Sequence, residues 1–200
     1  MKVFAATILL LFLHLPVAAA QSGSELSAPA QGDHELELWT GGGHSVPGGA
    51  GNIGAWNVGL RYGWVFTGPH GPGFLRGQFE YAVDVVPAFL VFEPGGTAYG
   101  VALDPIALKW DFRERHRVVP YLEMSGGTLF TSRDVPSGIL RVNFASGAAT
   151  GLYFPAGKFN WSAELRWMHI SDAGLTSPNP GIDTIQVRLG LGVFRSRKRP

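Results

Sequence analysis

The chain of 200 residues contains no cysteine. Disulfides, thiolate nucleophiles and zinc–thiolate centres are therefore excluded. Charge is scarce too: Asp, Glu, Lys and Arg make up 16% of the residues, and the formal net charge is +1 at pH 7. So balanced a chain lacks the basic surface that nucleic acid requires, and no nucleic-acid partner is expected. Beyond the N-terminal region no segment reaches the ~18 consecutive apolar residues of a membrane-spanning helix. The glycine-rich stretch Gly41 to Gly54 has no GK[ST] sequence and no helical pattern after it, so it reads as a loop and implies no phosphate cradle. His34, His44, His70 and His116 are scattered without metal-ligand spacing, and neither a metal nor a cofactor is expected.

What the chain does have is apolar bulk and small residues. It is 46% hydrophobic and 12% aromatic, with 28 glycines. The N-terminus, MKVFAATILLLFLHLPVAAA, pairs Lys2 with an apolar run and ends in three alanines before Gln21. That is the pattern of a secretory signal peptide over residues 1–20. Residues 21–33 read as a mobile leader rich in Ser, Ala, Gly and Pro, residues 34–194 as one domain, and residues 195–200 as a basic tail.

Within the domain the dominant signal is alternation. In WNVGLRYGWVF, Trp56, Val58, Leu60, Tyr62, Trp64 and Phe66 share one parity, with small or charged residues between them. At the usual rise and tilt, Trp56 to Trp64 spans roughly 20 Å of membrane normal, with aromatics near both ends. Comparable strands are expected over His34–Thr40, Leu75–Val86, Tyr99–Phe112, Val118–Phe130 and Ile139–Phe154, with an irregularity at Pro105. Two more follow between Trp161 and Phe194, making eight. The large residues are too many and too bulky to fit inside eight strands, so the apolar faces point outward. The chain is thus expected to be all-β, an eight-stranded antiparallel transmembrane β-barrel with a lumen filled by side chains. Arg61, Arg76, Glu80, Asp84, Lys109, Asp111, Glu164, Arg166 and Arg188 would neutralise one another inside. Phe194 would be the terminal aromatic residue that outer-membrane assembly recognises.

The last two strands carry the chemistry. Trp161, Ala163, Leu165 and Trp167 share a parity that continues into His169 and Ser171. Ile185, Val187, Leu189, Leu191 and Val193 share one that extends back to Asp183. A serine, a histidine and a carboxylate on one apolar face are the parts of an activated nucleophile. Residues two apart on a strand lie about 6.5 Å apart, and a bend after His169 is expected to close the gap. Ser171 and His169 also have a plain reading, as a strand-end serine and an interfacial histidine.

The segment HISDAGLTSPNPGID, His169 to Asp183, closely resembles the active-site segment of the PagL-type lipid A 3-O-deacylases, an acyloxyacyl-hydrolase-like outer-membrane family. The family pattern is His-x-Ser-Asn-Ala-Gly-Leu, a short Pro/Asn/Gly turn, then a carboxylate. The stretches Phe79–Phe92 and Pro120–Pro136 look similar as well. Two positions depart: Asp172 stands where the family has Asn, and Asp183 where its best-known members have Glu. The resemblance implies an outer-membrane location in a Gram-negative-type bacterium, lipid A or lipopolysaccharide as substrate and outer-membrane lipids as surroundings, and it leaves a homodimer open. It implies Ser171 as nucleophile, His169 as general base and Asp183 as the orienting acid, removing the 3-O-linked acyl chain by transfer to water. The backbone of Asp172, Ala173 and Gly174 would supply oxyanion donors. Tyr153, Phe154, Trp161 and Trp167 are candidates for packing the acyl chain. The alternatives are a catalytically silent structural barrel and a phospholipase-like esterase on the same fold.

Overall fold

The computed structural model describes residues 29–196. The expected signal peptide, most of the leader and the end of the basic tail lie outside the described residues. Eight strands follow in order: β1 Asp33–Ser45, β2 Gly54–Val65, β3 Gly77–Glu93, β4 Gly96–Phe112, β5 Val119–Thr131, β6 Val142–Ala156, β7 Phe159–Ser171 and β8 Ile182–Ser196. Each pairs antiparallel with its neighbours, and β1 closes on β8 with Asp33 opposite Ser196, forming a barrel. One 3-10 turn, Gly73–Leu75, is the only helical element among the described residues, so no helix is long and apolar enough to cross a membrane. The first residue of β1 and the last of β8 share one end. Four connections, 46–53, 94–95, 132–141 and 172–181, form the opposite, loop end.

Several boundaries differ from the sequence pattern. β1 runs on through Gly41, Gly42 and Gly43 to Ser45, because a glycine has no side chain to show alternation yet keeps its ladder partners. β3 begins at Gly77, after the 3-10 turn, and continues to Glu93. The irregularity at Pro105 is present as a register shift between Leu103 and Ile106 against β5.

Outward positions are large and apolar: Leu38, Leu60, Tyr62, Val187 and Leu189 are each more than half exposed. Inside, the lumen changes character along its axis. The loop end is plugged by Ile53, Phe89, Val91, Leu129, Ile170 and Ile182, all nearly inaccessible. Beneath them lies a closed ring of alternating charge. Arg61 donates to Asp84 (2.7 and 2.9 Å) and to Glu123 (2.6 and 2.8 Å). Arg166 donates to Glu123 (2.5 Å) and Glu164 (2.7 Å). Arg188 completes the circuit to Glu164 at 3.5 Å and Asp84 at 3.7 Å. Three guanidinium groups thus face three carboxylates, which is how charges so deeply buried are tolerated. Nearer the termini Lys109 Nζ lies 3.1 Å from both Glu35 and Glu80 and donates to the Tyr153 hydroxyl.

Two expected placements, of Arg76 and Tyr153, are corrected here. Arg76 is exposed in the turn before β3 and takes no part in the lumen. Tyr153 points into the lumen against Tyr121 and Lys109, so it is not available to an outer acyl chain. Phe194 has the inward parity of β8 and packs edge-on against Tyr153 at 5.6 Å. The sequence pattern also missed Glu35, Glu37, Asp104 and Glu123, which all face inward. Glu35, Glu37 and Glu123 nevertheless alternate cleanly with Leu36, Leu38 and Leu122, and only Asp104 stands beside an irregularity, at Pro105.

Candidate active site

The β7–β8 register sets His169 directly opposite Asp183. Both side chains emerge on the outer face near the loop end, and the imidazole Nδ1 lies 2.9 Å from Asp183 Oδ1. Ser171 follows His169 on the same face, and its Oγ is 3.0 Å from His169 Nε2. No bend is required. β7 stays paired with β6 as far as Ser171, which lies opposite Phe144, and the two side chains bridge the gap themselves.

The tautomer follows from the partners. An ionised carboxylate only accepts, so Nδ1 carries the hydrogen and donates to Asp183. Nε2 of the neutral ring is then free to accept from the Ser171 hydroxyl. The chain is partly open to its surroundings: the side chains of His169 and Asp183 are 34% and 14% exposed. Trp167 stacks beside the imidazole, with ring centroids 6.1 Å apart and planes at 22°.

The loop 172–181 is held by Asp172. Parity turns this residue away from the outer face, and its side chain is fully enclosed. Oδ1 accepts from the Gly174 N–H (2.9 Å) and from Asn179 Nδ2. Oδ2 accepts from the Thr176 N–H (2.9 Å) and hydroxyl (2.5 Å). The Thr176 side chain, aided by the backbone N–H groups of Gly174, Thr176 and Leu175 and opposed by burial, holds the Asp172 carboxyl below the usual range. Two consequences bear on the expected oxyanion donors. The Gly174 N–H is already committed to Asp172. Among the described residues no hydrogen bond uses the N–H of Asp172 or of Ala173.

The loop 46–53 also reaches the site, which its sequence did not suggest. Val46 N–H donates to the Asp183 carbonyl and Ala50 N–H to the Gly181 carbonyl, each at 2.8 Å. The only hint in the sequence is the glycine pair 48–49, unremarkable among so many glycines. Of the aromatic candidates, Trp167 lies beside the site on the outer face. Phe154 and Trp161 pair with each other next to the β6–β7 turn, at the far end of the barrel. Phe144, opposite Ser171 and 49% exposed, stands where the pattern had offered no aromatic residue.

Known structures share this architecture. The outer membrane enzyme PagL matches at 17% identity with a TM-score of 0.58, over 77% of this chain and 97% of that one. Neisserial surface protein A matches at 16% identity and 0.53, over 83% and 99%. The outer membrane protein OprG from Pseudomonas aeruginosa matches at 9% identity and 0.54, over 84% and 98%. These neighbours speak for the fold, an outer-membrane barrel. No curated protein matches the sequence. The model of the lipid A 3-O-deacylase (PagL) family matches residues 54–192, from the first residue of β2 into β8. With well over half of the chain covered, including all three members of the serine–histidine–aspartate chain, the protein belongs to the lipid A 3-O-deacylase (PagL) family.

Proposed function

We propose that the protein is an outer-membrane serine esterase that removes the 3-O-linked acyl chain of lipid A. The observation that carries this reading is the hydrogen-bonded sequence Asp183–His169–Ser171 on the lipid-facing side of the barrel, with its serine end open. In a bacterial outer membrane the termini would face the periplasm and the loop end the outer leaflet, where lipid A resides. An ester lying among the headgroups then meets Ser171 without leaving the bilayer.

The chemistry follows from the geometry. Ser171 Oγ attacks the ester carbonyl while His169 Nε2 takes its proton. Asp183 holds the imidazole by its Nδ1–H and stabilises the cation that forms. The negative charge on the former carbonyl oxygen is met by the backbone N–H groups of Asp172 and Ala173, at the end of β7. Collapse breaks the ester bond, and His169 returns the proton to the departing sugar hydroxyl. Water, deprotonated by the same imidazole, then releases the fatty acid from Ser171. Phe144 beside the nucleophile and Trp167 beside the imidazole offer apolar contact to the acyl chain.

Mass spectrometry of lipid A from cells expressing the protein, beside cells expressing Ser171→Ala, tests this directly. The wild type removes one 3-linked acyl chain, and the variant leaves lipid A intact. Acyl-chain loss with both proteins would remove Ser171 as the nucleophile. Unchanged lipid A with a folded wild-type barrel would leave a silent barrel, or an esterase for another lipid.

A further inference from the structure

The acid of the site is enclosed by a loop from the other side of the β1–β8 seam. Val46, Gly48 and Ala50 lie on the connection between β1 and β2, which lies over the start of β8. Its two backbone hydrogen bonds, to the carbonyls of Asp183 and Gly181, fix it there. Between them Gly48 takes a φ of +139°, outside the range of ordinary L residues. A Cβ placed on Gly48 would lie 2.7 Å from Asp183 Oδ2, nearer than real Cβ atoms come, and 3.5 Å from its Cγ. The absent side chain is therefore what lets the loop close on the carboxylate. Asp183 Oδ1 faces His169, and Oδ2 faces the backbone of Gly48.

Resting on the esterase reading above, we propose that Gly48 is a positioning residue that acts through Asp183. The loop at Gly48 limits the rotation of the carboxylate, so that one oxygen stays on the imidazole Nδ1–H while the other is covered from lipid. This matters more for an aspartate than for a longer acid. Its short side chain must meet the cross-strand histidine directly, and a carboxylate turned away cannot recover the contact by extending.

The test is a double-mutant cycle on the full-length barrel purified from membranes, with lipopolysaccharide in detergent micelles as substrate and released fatty acid as the readout. Rates are taken per folded molecule, counted by heat-modifiable electrophoretic mobility. Gly48→Ala is expected to lower kcat about 10- to 100-fold, the scale of a misplaced catalytic group, with KM within about twofold. In an Asp183→Asn background the same change is expected to add nothing, because the group it acts on is already disabled. Gly51→Ala, in the same loop but with open space around the added carbon, should behave as wild type. Wild-type kcat for Gly48→Ala would overturn the proposal. So would a loss that multiplies that of Asp183→Asn, or an equal loss from Gly51→Ala. The esterase reading fails separately, if the wild type releases no fatty acid or if Ser171→Ala releases as much.

Discussion

A ring of paired charges inside the barrel and a hydrogen-bonded chain of three residues outside it differ in how they end. The inner ring of Asp84, Arg61, Glu123, Arg166, Glu164 and Arg188 closes on itself. Each member has a partner on either side and almost no contact with solvent. The outer chain of Asp183, His169 and Ser171 is linear, and its last atom, a hydroxyl oxygen, faces the surroundings. Similar residue types serve both, yet a closed circuit has no proton to give and no site for a reactant. An open chain at a surface has both. The contrast separates what holds this barrel from what is proposed to act on its substrate, and single substitutions should tell the two apart.

The largest effect is expected from Asp183→Asn. An amide in place of the carboxylate favours the wrong imidazole tautomer, a change that costs about 10⁴-fold in a serine hydrolase with the same three roles. Fatty-acid release should fall by orders of magnitude, while the urea midpoint of the barrel stays unchanged. Glu123→Gln should do the reverse. It deprives both Arg61 and Arg166 of a carboxylate, and breaking a buried pair costs about 3–5 kcal/mol. The urea midpoint should drop, with kcat per folded molecule kept near wild type. Loss of kcat in the folded fraction would mean that the ring reaches the outer face and would break the comparison.

The smallest effect is expected at Asp172, which belongs to neither set. Its hydrogen bonds hold the carboxyl below its ordinary value near 3.9, so the order it lends to loop 172–181 is fully present above that value. That order is lost only as pH falls through the lowered value. Asp172→Ala should remove it at neutral pH as well. Proteolysis within 172–181 should speed up for the variant, with no change in the urea midpoint. Equal cleavage of the variant and the wild type at pH 7 would count against the role.

These comparisons also show what could be read in advance. The outward face of β2 was plain because Trp56 to Trp64 alternates without interruption, and the same rule set His169 and Ser171 on one face. Asp183 could be reached by counting back along β8. The partners inside the lumen could not. Arg61 meets Glu123 from 62 positions away, and alternation gives a residue's face but not its neighbour across a closed sheet. Arg76 carries the right charge and spacing but precedes the strand, so it stays outside. Tyr153 lies on the inward face of β6, and its aromatic neighbour Phe154 on the outward one, so nearness in sequence did not place them together. Gly48 was invisible for a different reason. Its effect comes from an atom it lacks, and it bears on a residue 135 positions away in the chain (183 less 48).

The direct pairing of His169 with Asp183 has one more consequence, and it concerns assembly. Antiparallel strands can slip by one residue, and each slip sends every side chain of the moved strand to the opposite face. A β8 displaced by one position would turn Asp183 into the apolar plug and bring Ile182 or Thr184 to the imidazole. Such a barrel would retain most of its backbone ladder and still be inert. Correct register is thereby a licence for reactivity. A chain threaded wrongly into the membrane would be a mute protein, with no partly active form to attack the lipids around it.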